Sequence, residues 1–583
     1  MIEIDREITQ DFARAIGLEW LETNGLGGWA WTTVAGAHSR RDHGLLIAAA
    51  EPLAGRTVLL SRLDETLHVG GESFELSCNQ FPGAIAPRGF EHLTSFRQDL
   101  FPTFEYEAGG VKLRKTVAAV DGENTTLVLF EVLEAPGPFI LSLRPFLATR
   151  DQRHALTSAD PRISQETPFA DGVLRLRPYP DTAEVFLRVP EAEFRSGPQW
   201  WYRFEYERDR RRGLDFHEDL WTPGVFGREL SPGDRLGVVI STQDPAGRDA
   251  FALFEKERKR REKIVKALPV RDDFARDLAL AADAFVGRKG TSRETLIALP
   301  GLWLVTGRHE EARKILRAAA RNFQGLTAET PLWVFVAAWK YLQATGDEAF
   351  TRDTLLPALR KIVRRYDKGG FQGVQVDADG LLTTAPRQGE VELNALWFNA
   401  LSILAELETR LGDPEEAKPL AQRARRAQKS FQEIFWNEEK GSLDSGMRGE
   451  SPGTGQIIAL SLPFPLLPKP RAARVLAAVG ERIDAPALHP LLGAYLTSLA
   501  RAHGAAGRKK GLALLEELKP RLIEAGVDAA SRAIGAAEVL RAYVEDLKPV
   551  PAAKEKTQAS GPTTPASSRS RSGRRGKGAP SPN

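Results

Sequence analysis

The chain has 583 residues, 42% of them apolar, which is too many for one hydrophobic core and enough for two large domains. Its formal charge is +3, but eight Lys and Arg against Glu555 alone fall between Lys548 and the C-terminus, so the preceding body is mildly acidic and has no field to draw nucleic acid. Cys78, the one cysteine, excludes an intramolecular disulfide and a thiol metal cluster, and no apolar run reaches signal-peptide or membrane-spanning length, so a cytoplasmic chain away from membranes is expected.

Residues 1–255 are patterned as strands. LSRLDETLHVGGESFELS sets a VGGE hairpin turn between two alternating runs. VKLRKTVAAV, NTTLVLFEVLE, FILSLRPFL, VLRLRPYP and PGDRLGVVIST keep the period of two, with turn residues at short intervals, as in a large antiparallel β-sandwich. KERKRREKIVKALPVRDD, over 256–273, predicts a charged helical linker. From 274 to 547 the period is helical. HEEARKILRAAARNF, PLWVFVAAWKYLQAT, VELNALWFNALSILAELETRL and SRAIGAAEVLRAYVEDL are among ten to twelve amphipathic or apolar helices, many with Asp, Pro or Gly at their ends. So many paired helices suit an α/α toroid better than a four-helix bundle. Twelve helices of roughly 14 residues take about 170 positions, which leaves connections of only about nine residues each. The segment 548–583, rich in Pro, Ser, Gly and Arg, predicts a disordered basic tail, either solvated or an electrostatic tether to an anionic partner.

Nucleotide and metal chemistry find no support. GLGG at 25–28 is not a dinucleotide loop, there is no P-loop or HExxH, and nine scattered histidines do not form a ligand set, so no cofactor and no metal are expected. TNGLGGWAWTTVAGAHSRRDHGLL, over 23–46, gathers Asn24, Trp29, Trp31, Arg40, Arg41 and His43 among glycines. Aromatic faces and planar polar groups suit sugars, yet a tight meander with core tryptophans and solvated arginines explains the stretch as well. QWWYRFEYERDRRRGLDFHEDLWTPGVF, over 199–226, has the alternating charges of a mutually paired surface, and Arg150, Asp151 and His154 form a third cluster.

EWLETNGLGGWAWTTVAGAHSRRDHGLLIAA resembles the opening of the bacterial and archaeal glycogen debranching enzymes of the amylo-α-1,6-glucosidase type. The resemblance continues in order through RGLDFHEDLWTPGVF, ETLIALPGLWLVTGRHEEARKILR, VDADGLL, VELNALWFNALSILAEL and AAEVLRAY. It implies an antiparallel β-sandwich followed by an (α/α)6 barrel of the six-hairpin glycosidase kind, and hydrolysis of α-1,6-linked glucose at glycogen branch points. Residue by residue it implies carbohydrate binding by Asn24, Trp31, Arg40, Arg41 and His43. In SRETLIALPGL it matches Arg293 and sets Glu294 where the family has aspartate. It pairs Glu329 and Trp333 with a family Asp and Trp, and also matches Asn394, Trp397 and Gln456. The chain departs from the family where the chemistry should sit. After VDADGLL the expected Thr-Trp-Met-Asp segment with its general acid is missing, and EAGVDAASRAIGAAEVL skips the Ser-Glu-Ile-Phe-like segment expected to hold the base. The aromatic rim is reduced to APALHPLLGAYL. Glu390 and Glu392 are the nearest carboxylates that remain as catalytic candidates, while Asp444 and Glu450 have no counterpart.

Three functions follow. The first is a debranching-type glycoside hydrolase acting on glycogen or another α-glucan. The second is a catalytically inactive homologue, a pseudoenzyme that binds α-glucan or a partner protein. The third is a helical-repeat scaffold, disfavoured because no fixed period recurs and the β half is left unexplained.

Overall fold

A computed structural model describes residues 2–49, 55–152, 156–284, 291–321, 327–383, 390–444, 455–480, 491–523 and 529–548, apart from the side chains of 519–523 and 529–533. His154, Glu450 and the tail beyond Lys548 lie outside the described residues.

The first half is two antiparallel sheets, one of nine strands and one of eight. Their register follows the alternation in the sequence. On Pro102–Ala108, Tyr106 stands opposite Leu113 and Ala108 opposite Val111, all buried. Leu60, Leu67, Val128, Phe130, Leu141, Trp221 and Ile240 fill the space between the sheets. The VGGE turn pairs Val69 with Glu72 across Gly70 and Gly71, both at positive φ (59° and 86°), which only glycine adopts without strain. Trp29, Trp31, Phe146 and Phe204 form a second apolar cluster apart from that core.

The linker helix Ala250–Lys266 begins earlier than its charged run suggests, because Asp249 caps it by accepting from the Ala252 amide at 2.6 Å. Two adjacent arginines on it point to different halves of the molecule. Arg261 donates from both terminal nitrogens to Glu22 of the sandwich, at 3.0 and 2.6 Å, and lies 4.2 Å from the Phe101 ring centre. Arg260 grips Asp283 of the helix Asp273–Asp283, which Arg308 also contacts at 2.8 Å. Glu257 accepts from both arginines. Burial opposes the charge of Arg261, but the Glu22 and Glu257 carboxylates outweigh it and raise its pKa above the usual guanidinium value.

The second half is a ring of helices. Arg293–Leu299, Thr330–Thr345, Val391–Leu411, Gly455–Ser461, the first part of Leu492–Ile523 and Ala529–Ala542 each pack on the next, and the last returns to the first. Asp273–Asp283, His309–Arg321, Leu356–Asp367, Pro414–Phe435 and Lys469–Gly480 pack around them. Leu492–Ile523 turns sharply at Gly504, so that its second part joins the outer layer. Proline inside the first inner helix is accommodated by a π-helical segment, Pro300–Leu304, where the missing N–H is not needed. Among the described residues no helix is long and apolar enough to cross a membrane.

The ring closes by backbone contact. A Cβ on Gly301 would lie 1.7 Å from the carbonyl oxygen of Ala537, and one on Gly493 would lie 2.4 Å from the backbone of Glu538. The closing helix is therefore seated between two glycines of its neighbours. Gly301→Ala and Gly493→Ala are each expected to cost about 1–3 kcal/mol by overpacking, read as a lower urea midpoint; an unchanged midpoint for both would show that closure does not depend on this contact. Arg261→Met is expected to cost about 3–5 kcal/mol, because it leaves Glu22 buried without its cation; urea unfolding of the full chain checks it.

Candidate functional site

The polar residues of the sandwich stretch meet one another. Asn24 Oδ1 accepts from the amides of Leu26 and Gly28 at 2.9 and 3.0 Å, and its Nδ2 donates to Asn124 at 2.8 Å. That arrangement fixes the glycine turn. Trp31, 5% exposed, lies edge-on to His43 with 4.9 Å between ring centres, and Arg40 lies 5.4 Å from its own ring centre. Arg40 and Arg208 both bind Glu19, at 2.9 and 3.0 Å, and His43 Nε2 is 3.6 Å from the same oxygen. Burial works against the charge on Glu19. The hydrogen bond and charge of His43, with Arg40 and Arg208, prevail and hold its pKa down at about 2. Burial also lowers the pKa of His43, against the pull of Glu19.

The other two sequence clusters join the same network. The Arg41 amide donates to Asp209 at 2.5 Å, and its guanidinium donates to the Asp215 carbonyl at 3.2 Å. Arg150 donates to the Arg41 carbonyl at 2.8 Å and to Glu218, which also accepts from the Tyr206 hydroxyl. Three stretches up to 190 positions apart thus share one set of buried ion pairs.

At the ring, the first turns of the inner helices come together. Ser292 caps Arg293–Leu299 by accepting from the Thr295 amide at 3.2 Å, and Arg293 donates to Glu392 Oε1 at 2.5 Å. Glu392 lies in the first turn of Val391–Leu411, with exposed Glu390 just before it. Asn394 clamps Leu382 from both sides of its amide, at 2.7 and 3.0 Å, and fully buried Trp397 donates to the Gly380 carbonyl at 3.1 Å. Both residues hold the hairpin of Gln375–Val376 and Leu382–Thr383 onto the helix that follows it. Gln456 does the same for the hairpin of Trp436–Asn437 and Ser442–Leu443, accepting from the Leu443 amide at 2.9 Å. Asp444, in turn, accepts from Asn437 and Lys440 beside that second hairpin. Half-buried Glu329 precedes Thr330–Thr345 without a side-chain cap.

A cavity of about 150 Å³ opens among these helices, with Arg293, Glu294, Trp333, Lys340, Glu538 and Arg541 in its wall. Trp333 is 7% exposed, and its buried indole N–H has no hydrogen-bond partner among the described residues. Glu538 was not among the candidates drawn from the sequence. Both of its oxygens accept from Arg541, at 3.0–3.3 Å. Arg541 also reaches Asp546 at 3.2 Å, and Lys340 pairs with Glu545 at 2.6 Å, so the inner end of the cavity is a neutralised ion network. Burial opposes the Arg541 charge, but the facing carboxylates raise its pKa above the usual value. The one signal for Glu538 in the sequence is the Glu–x–x–Arg spacing inside the apolar run AIGAAEVLRAYV. The chain next to the two points where the family's acid and base segments are missing, 384–389 after VDADGLL and 524–528 in EAGVDAASRAIGAAEVL, lies outside the described residues. Among the described residues no three His, Cys, Asp or Glu side chains gather as a metal site.

The family model for the N-terminal part of glycogen debranching enzyme matches residues 18–236, and the amylo-α-1,6-glucosidase model matches 283–385 and 382–491. Together they span well over half of the chain. No curated protein matches it. Among solved structures, a bacterial glucoamylase complexed with acarbose covers 91% of this chain and 92% of its own, at 9% identity and a TM-score of 0.52. A rhamnosidase from Klebsiella oxytoca with rhamnose bound covers 68% and 91%, at 14% identity and a TM-score of 0.39. The glucoamylase likeness, at that identity, speaks for the fold alone: an antiparallel sandwich followed by an (α/α)6 barrel. The two family matches, which between them take in the sandwich and most of the ring, go further, and the chain belongs to the glycogen debranching enzyme-like family of glycoside hydrolases, the amylo-α-1,6-glucosidase type.

Proposed function

We propose that the chain takes an α-glucan end into the cavity of its helical ring and holds it there without hydrolysis. Trp333 carries this reading. It is a large aromatic ring in the wall of a cavity that also holds Arg293, Glu294 and Lys340. A sugar ring meets such a wall with its C–H face on the indole and its hydroxyls on the charged groups. Opening an α-1,6 bond asks for more, namely a proton donor and a second carboxylate at a set separation. Of the described wall residues only Glu294 and Glu538 carry carboxylates. Glu294 is exposed, and both oxygens of Glu538 are engaged by Arg541. A cytoplasmic location belongs to the same reading. It is supported by Cys78, the one cysteine of the chain, which stays a free, buried thiol.

One observation favours hydrolysis as a second reading, since Glu294 and Glu538 line the same cavity. Glucose release from phosphorylase-limit dextrin separates the two. No release above a protein-free control is expected. Turnover that falls by about 10²-fold or more in Glu538→Gln would make that carboxylate catalytic and overturn the binding reading. Trp333→Ala is expected to weaken glycogen co-sedimentation by about five- to tenfold, the worth of one aromatic contact; unchanged retention would remove the ring cavity as the binding site.

A further inference from the structure

A groove of about 210 Å³, more open than the ring cavity, lies where the nine-stranded sheet meets the linker helix. On Pro102–Ala108, Phe104 and Tyr106 belong to the sandwich core, so Thr103 and Glu105 look outward into this region. Two cross-strand rows form its floor. One is Arg97, Thr103, Thr116 and Leu129, with the two threonine hydroxyls 3.3 Å apart. The other runs through Arg114, Glu131 and Arg235, in register with Glu105 on the next strand beyond the groove's lining. Arg114 lies 2.7 Å from Glu105 and 3.7 Å from Glu131, and Arg235 lies 3.3 Å from Glu131. Phe254 of the linker helix makes the apolar wall together with Phe251, one face of which the Arg235 guanidinium already covers at 3.8 Å, and Asp99, paired with Arg276, also lines the groove.

The charges say what such a groove can take. Three carboxylates, Glu105, Glu131 and Asp99, each sit against a guanidinium, which leaves only exposed Arg97 in excess. A field so nearly balanced gives little hold on an anion. What remains is a row in which donors and acceptors alternate at the strand spacing, about 14 Å from end to end over four strands. Sugar hydroxyls each donate and accept, so vicinal hydroxyls match such a row, and the apolar wall suits the C–H face of the ring.

We propose that this groove is a second carbohydrate site, which binds an internal stretch of the α-glucan whose end enters the ring. The proposal rests on the glucan-binding function given to the ring cavity, but it stands on different residues. Two sites on one polymer make attachment multivalent, so loss of either weakens the grip on glycogen far more than on a short oligosaccharide.

Calorimetric titration of the full chain with maltoheptaose tests both sites together. Two binding events are expected. Trp333→Ala should delete one, and Arg97→Ala with Thr103→Val should delete the other. The groove variant should also lower glycogen retention by about tenfold or more, as the loss of a linked contact does. An isotherm and a glycogen retention both unchanged by the groove variant would overturn the proposal, and so would a groove that binds inorganic phosphate and not maltoheptaose. If Trp333→Ala changes nothing while the groove variant removes the remaining binding, the ring-cavity function fails and the groove site stands. Thermal unfolding controls for folding, and Arg97→Ala alone, an exposed position, serves if the double variant unfolds; it should lower maltoheptaose affinity by several-fold.

Discussion

Two neighbouring guanidinium groups hold the molecule together. Arg260 and Arg261 follow each other on the linker helix, share Glu257, and turn to opposite partners. Arg261 enters the sandwich at Glu22, while Arg260 enters the helical half at Asp283. Successive residues on a helix face about 100° apart, so a single turn of helix can anchor two domains only if it lies in the seam between them. Each arginine is buried or nearly so, and each is neutralised by carboxylates that are buried themselves. Such a pair contributes less to net stability than to geometry, because a buried charge tolerates only the arrangement that pairs it. The groove beside the linker helix has its shape for the same reason, since Phe254 in its apolar wall stands two turns before Arg261 on the same face and both meet the Phe101 ring.

The ring puts polar residues to structural use at the starts of its inner helices. Asn394, Trp397 and Gln456 all bond to backbone, and each fastens a short hairpin to the start of an inner helix. Hairpins of two paired residues cannot hold themselves in water. Side chains at the first turn of the next helix supply what the hairpins lack. The cavity of the ring is lined by other residues, Trp333 among them, whose buried indole N–H has no acceptor among the described residues.

Much of this could be read from the residues. The period of two in VKLRKTVAAV and the glycine pair in VGGE lead directly to the paired strands seen, because both are local properties of the chain. HEEARKILRAAARNF is likewise a helix from its spacing alone. The site was less legible. The alternating charges of 199–226 indicate mutual pairing, and Glu207 with Arg210 and Arg211, and His217 with Glu205, pair that way, but Arg208 and Asp209 turn instead to Glu19 and Arg41. Strand order decides that, and no local pattern carries strand order. Glu538 escaped notice for a different reason: one acidic residue in an apolar helix looks like an exposed position until the ring closes around it. The family resemblance implied ligand roles for Asn394 and Gln456, which are polar residues at helix starts. Whether such a residue faces solvent or a neighbouring hairpin depends on a contact that forms only in the folded ring.

The glycine contacts on either side of Ala537 and Glu538 bear on how the ring could change over time. At those two points the helices already touch main chain to main chain, so their spacing there cannot be changed by trimming or enlarging a side chain. A wider or narrower ring has to arise elsewhere on the circumference, while the character of the cavity can still change through the side chains, Glu538 and Arg541 among them, that stand in its wall.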